Sequence, residues 1–125
     1  QRNERWIRLF SHCALEHIVE SIHSPLPVEK NLAPALLGLR DYDKLHGTAY
    51  FETLRMYLLC ERDIPKTSQA LIIHRTTLLY RLKKMETLVT LDLDDPDQRL
   101  YLLLSLWIMD RQSKKEREKE VHEKC

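Results

Sequence analysis

Between His74 and Val89 the apolar residues Leu78, Leu82, Met85 and Val89 recur at spacings of four, three and four. Positions so spaced share one side of an α-helix, and the stretch predicts a helix with a buried stripe. Thr76, Tyr80, Lys83, Lys84 and Thr87 fall on the opposite side. The outward surface is therefore polar and basic, with Glu86 near its edge as its one carboxylate. Upstream, Pro65 suits the first turn of a helix, where its missing N–H costs nothing, and Ala70 and Leu71 supply a short apolar face. The stretch from Ile64 to Leu88 thus reads as two helices joined by a tight turn, with positive charge gathered on the second.

The charge is local. In this stretch Lys66, Arg75, Arg81, Lys83 and Lys84 stand against Glu86 alone, whereas the whole chain carries a net charge of only +1. An acidic block follows at once, with Asp92, Asp94, Asp95, Asp97 and Asp110 against Arg99. A basic face beside an acidic one implies a localised footprint for a polyanion rather than a uniformly sticky surface. The face suits DNA, and the acidic block should face away from phosphate.

The run ALIIHRTTLLYRLKKMETL followed by LDLDDPDQRLYLLLSL closely resembles the C-terminal helix-turn-helix domain of PucR-type bacterial transcription regulators, the family of purine-catabolism and sugar-diacid regulators. It is also similar to the helix-turn-helix of the nucleoid protein Fis. The resemblance extends upstream through LLGLRDYDKLHGTAYFETLRMYL and covers roughly Leu36 to Asp110. The chain departs from it at Thr76, where the family usually has Asn, and at Thr90, where it usually has Gly. The resemblance implies a sensory region preceding the DNA-binding domain. On that basis the chain is expected to be a fragment of a longer regulator, with a small-molecule effector acting only on the missing sensor.

Length and composition fit this picture. A chain of 125 residues supports one core but not two comfortable domains. Two glycines and five prolines, among many Leu, Glu, Lys and Arg residues, favour an all-α chain over a sheet protein rich in turn glycines. Cys13, Cys60 and Cys125 are odd in number and widely spaced, which implies no disulfide framework and fits a reducing cytoplasm. The longest apolar run, Leu100 to Leu104, falls far short of the ~20 residues needed to span a bilayer. No membrane association is expected.

Along the chain, Trp6, Ile7, Phe10, Ala14, Ile18 and Ile22 predict a helix over residues 4–23, ended by the breaker cluster Ser24-Pro25-Leu26-Pro27. Asn31 is placed to cap a short helix from Leu32 to Leu39, and Asp41 to His46 reads as a further turn closed by Gly47. Thr48 would cap a helix reaching about Glu61, with Phe51, Leu54, Tyr57 and Leu58 inward. After the basic helix, Asp94 or Asp95 caps a last core helix that has Pro96 at its first position. From Leu100 to Met109 every residue except Ser105 is apolar, so the domain wraps this helix or one face packs on a second copy. Beyond Asp110 the sequence is charged on all sides, as a solvated helical extension or frayed tail.

The expected organisation is a connector helix or end of a sensory region over 1–30, a compact multi-helix domain with a Fis-like helix-turn-helix over 31–110, and a charged helical tail over 111–125. In a helix-turn-helix the second helix enters the major groove with its first turns against base edges. That places Arg75, Thr76, Thr77 and Tyr80 of a recognition helix over about 74–89 at bases. A salt bridge is the structural alternative for Arg75, and covering a neighbouring side chain is that for Tyr80. Lys66, Arg81, Lys83 and Lys84 are assigned to phosphate, and His74 to a helix cap first and phosphate second. One such helix reads about half a turn of DNA, so a homodimer with recognition helices ~34 Å apart is expected.

Cys13 and His17 share a helical face, but structural zinc needs four ligands and no second Cys/His pair follows, so no metal or other cofactor is expected. No glycine-rich phosphate loop and no convincing His–carboxylate set argues for an enzyme. Two other readings stay open: an architectural DNA binder of the Fis kind, and a helical oligomerisation or partner-binding module that does not touch DNA.

Overall fold

The computed structural model describes residues 13–22 and 28–123, and among these every regular element is helical. The chain divides after Asn31 into two units. In the first, helix α1 spans 13–21 and a single 3-10 turn spans Val28–Asn31. Cys13, His17 and Ile18 are exposed on α1, and Ile22 is exposed just after it. The breaker cluster Ser24-Pro25-Leu26-Pro27 and the stripe residues Trp6, Ile7 and Phe10 lie outside the described residues.

The second unit carries five helices: α2 (Pro34–His46), α3 (Tyr50–Leu59), α4 (Ile64–Leu71), α5 (Arg75–Leu88) and α6 (Pro96–Glu123). Its core joins Leu36 and Leu39 of α2, Tyr50, Leu54 and Leu58 of α3, Met85 of α5, and Leu102, Leu106 and Met109 of α6. The residues from α2, α3 and α6 recur at the three- or four-residue spacing that puts side chains on one helical face.

Several local expectations are revised. α2 is one continuous helix rather than two short pieces. A Cβ at Gly38 would sit 3.1 Å from Val89 Cγ1, so glycine lets the chain leaving α5 lie against α2. Gly47, at φ 63°, ends α2 in the left-handed region and donates its N–H to the Asp43 carbonyl at 2.8 Å. Asn31 belongs to the 3-10 turn, and Ala33 takes the position before α2. Its N–H is satisfied from afar, by Ser105 Oγ of α6 at 3.0 Å.

The first turn of α3 is capped from outside as well. Ala49 precedes the helix without a side-chain cap, and Thr48, the expected cap, donates its hydroxyl to Asp43 instead. The Asp43 carboxylate supplies the acceptors for the free N–H groups of α3. α6 runs unbroken through the expected boundary at Asp110, and its 28 residues make a rod of roughly 42 Å at 1.5 Å per residue. The unit does not wrap this helix on all sides: Leu102, Ser105, Leu106 and Met109 are buried, while Leu100 and Leu103 are exposed.

Candidate nucleic-acid interface

α4 and α5 form the helix-turn-helix, and each end of the pair is built by local chemistry. Asp63 caps α4, its carboxylate accepting from the Lys66 N–H at 2.9 Å, with Pro65 in the first turn. Thr67 is fully buried and donates its hydroxyl to the Asp63 carbonyl at 2.6 Å. At the other end Ile72 adopts φ 54°, ψ 47°, and the Ile73 N–H returns to the Ser68 carbonyl at 3.0 Å. That left-handed residue makes the turn into α5. It is costly for a β-branched side chain, and this one is 90% exposed.

α5 is seated by Leu78 and Met85, both fully buried, with Leu82, Leu88 and the following Val89 half-buried beside them. Its outward face carries Thr76, Tyr80, Lys83 and Thr87, all exposed. Arg75 and His74 are exposed at its start, and Thr77 and Lys84 are half-buried. Lys66 is exposed at the start of α4. The structure therefore gathers Thr76, Tyr80 and Lys83 on one surface. His74 holds the cap position of α5 by backbone geometry alone, with no side-chain cap hydrogen bond.

Arg81 stands apart from the other cations of α5. It is half-buried, and its Nη1 donates to Thr53 Oγ1 of α3 at 3.1 Å, so its charge is drawn into the α3–α5 contact. The Thr53 hydroxyl in turn donates to the Ala49 carbonyl at 2.6 Å. Beside it, burial pushes the Tyr50 phenol above its usual value; Tyr80 and Tyr42 push the same way and Arg81 opposes them. Tyr80 thus stands on the α3 flank of the outward face. The ring of Tyr42 lies 5.8 Å from that of Tyr50 and 4.1 Å from that of His46, forming an aromatic edge to the α2–α3 turn.

A second brace ties the turn between α3 and α4 to the α5–α6 connection. Glu61 and Arg62 both have positive φ, at 56° and 61°. The Arg62 guanidinium donates to the Leu93 carbonyl at 3.1 Å and pairs with Asp94 at 3.3 Å, and Arg99 donates to the same carbonyl at 2.7 Å. Between α3 and α6, Arg55 bonds Asp110 at 3.0 Å, which together with Glu52 holds the guanidinium above its ordinary value against the opposing cost of burial. Asp43 and Arg62 take structural tasks for which the sequence pattern gave no role, and Arg81 bonds Thr53. The one usable signal was Arg62 itself, a long cation preceding a helix that DNA contact did not require.

Two helices, a tight turn and a basic outward face on the second helix make a helix-turn-helix, and comparison with known proteins specifies the kind. Residues 50–108 match the PucR C-terminal helix-turn-helix domain. Residues 50–108 thus form a helix-turn-helix of the PucR type. The PucR-type segment is accordingly the DNA-binding part of a bacterial transcription regulator. Over 78 residues the chain is 33% identical to the DNA-binding transcriptional activator AdeR of Bacillus subtilis (strain 168), covering 61% of this chain and 18% of AdeR. It is 34% identical over 77 residues to the proline-responsive transcriptional activator PutR of the same organism, covering 62% and 18%. With the purine catabolism regulatory protein of that organism it shares 41% identity over 54 residues, covering 43% and 10%. The chain thus spans under a fifth of the length of these relatives. No solved structure matches.

Among the described residues no group of three or more His, Cys, Asp or Glu side chains is arranged to hold a metal ion. Among them, too, no helix is long and apolar enough to cross a membrane.

Proposed function

We propose that the PucR-type segment binds double-stranded DNA with α5 in the major groove, as the reading head of a longer, cytoplasmic, homodimeric regulator. The observation that carries this reading is the division of α5 into a fully buried Leu78/Met85 side and an exposed Thr76/Tyr80/Lys83/Thr87 side. Thr76 reaches base edges with its hydroxyl or packs its methyl on thymine, and Arg75 grips guanine O6 and N7 from the first turn. Thr77 and Tyr80 complete the base-facing set, with Tyr80 also within reach of the sugar-phosphate edge. Lys83, Lys84, Lys66 and His74 neutralise phosphate and fix register, while Arg81 adds charge from its seat against Thr53. The organisation that goes with it is a connector or end of a sensory region over 1–30, the DNA-binding domain over 31–110, and a charged tail. A small-molecule effector acts on a sensory region outside this chain; the name of PutR, proline-responsive, supports such an arrangement.

Fluorescence anisotropy of the chain with a mixed-sequence duplex across a salt series tests this. Log affinity should fall steeply with log salt, and Lys83→Ala with Lys84→Ala should flatten the slope by about two, at roughly 0.9 for each phosphate no longer neutralised. Absence of salt-dependent binding at low salt would remove DNA as the direct partner. Equal affinity for all duplexes, with bending of the DNA, would favour an architectural binder instead.

A further inference from the structure

α6 is apolar on two faces. Leu102, Ser105, Leu106 and Met109 are buried in the core. On the other side Leu100 is 58% and Leu103 37% exposed, and Trp107 is half-buried with the Arg111 guanidinium 4.9 Å above its ring. At 100° per residue Leu100, Leu103 and Trp107 lie within about 60° of one another. They form a stripe in line rather than the scattered single hydrophobics of an ordinary surface.

The charges flanking this stripe differ in sign at its two ends. Asp92, Asp94, Asp95 and Asp97 lie just before or in the first turn of α6, and Arg111, Lys114 and Lys115 follow the stripe. A surface ordered acid, apolar, base along a helix complements itself only when the copies run antiparallel, because parallel copies set like charges side by side. Antiparallel pairing also opposes the two helix dipoles favourably. It is the isologous arrangement that a two-fold dimer requires.

We propose that α6 pairs antiparallel with α6 of a second copy of this chain, Leu103 of each protomer packing against Trp107 of the other. This inference rests on the homodimer reading above and names its interface. In that register Pro96 comes level with Lys114 across the pair, and Asp95 with Lys115, so the acidic start of each helix meets the basic segment of the other. The stripe is short, which places the pair among weak, reversible interfaces with a dissociation constant of roughly micromolar order.

Sedimentation velocity of the whole chain without DNA, over a dilution series, tests the pairing. The expected result is a concentration-dependent equilibrium between the 15.0 kDa chain and twice that mass. Leu103→Glu should raise the dissociation constant at least about tenfold while circular dichroism keeps its helical signal, since the side chain is exposed. Asp97→Lys and Lys114→Asp should each weaken the dimer, and the two together should restore it. A chain that stays monomeric at every concentration, a dimer indifferent to Leu103→Glu, or a double variant no better than either single one overturns the proposal. The DNA titration reports separately: a monomer that still binds DNA with a salt slope sinks this interface and leaves the groove-docked reading standing.

Discussion

The carboxylate of Asp43, in α2, accepts a hydrogen bond from the backbone N–H of Tyr50 at 2.9 Å, and its second oxygen accepts that of Phe51 at 2.8 Å. One side chain therefore satisfies two free donors of α3, seven and eight residues away, and sets the angle between the helices. Asp43→Ala removes both bonds and a negative charge from the positive end of α3. Stability should fall by about 1–2 kcal/mol, measured as a lower urea midpoint with an unchanged slope. Thr48→Ala, which removes only a donor to that carboxylate, should cost less.

Ile72 makes the turn of the helix-turn-helix in the left-handed region and buries almost nothing. Relief of its strain outweighs the entropy that glycine adds to the unfolded chain, so Ile72→Gly should stabilise the domain by about 0.5–1 kcal/mol. A thermal melt that shifts downward would refute this account of the turn.

Tyr50 gives the domain an alkaline edge. Its folded-state phenol titrates above the ordinary value near 10, chiefly because burial disfavours the phenolate. The contribution is complete below the unfolded value and is lost as pH rises from there through the folded one. Stability measured from about pH 9 to 11 should therefore decline in the wild type and decline less in Tyr50→Phe. Absorbance at the phenolate band should show a late-ionising component that Tyr50→Phe removes.

Arg81 and Lys83 lie two positions apart in different surroundings, Arg81 half-buried against Thr53 and Lys83 exposed. Arg81→Ala breaks the bond to Thr53 and should lower stability by about 0.5–1.5 kcal/mol. Lys83→Ala should leave stability unchanged and reduce the salt slope of DNA binding by roughly 0.9. Denaturation and anisotropy on the same two variants check both halves.

The amino-acid pattern announces the seat of α5 because burial is periodic: Leu78, Leu82, Met85 and Val89 repeat with the helix, and Thr76, Tyr80 and Lys83 occupy the remaining side. The cap by Asp43 was not legible, since a carboxylate near the end of one helix gives no sign that it serves the next. The same applies to Ser105. As the one polar residue between Leu100 and Met109 it reads as an interruption, yet it is 2% exposed and holds the Ala33 N–H at 3.0 Å. Nor does the pattern announce the role of Gly38, where the approach of the Val89 side chain leaves little room for a Cβ. Arg81 lies on the flank of the wheel, where periodicity does not decide between solvent and a neighbouring helix; Thr53 decides it.

Arg62 and Arg99 converge on a single carbonyl, that of Leu93, from the turn before α4 and from the first part of α6. Through this shared anchor the long rod and the reading head are geared together. In the proposed dimer, the way α6 is held therefore bears on the placing of α4 through these two guanidinium groups.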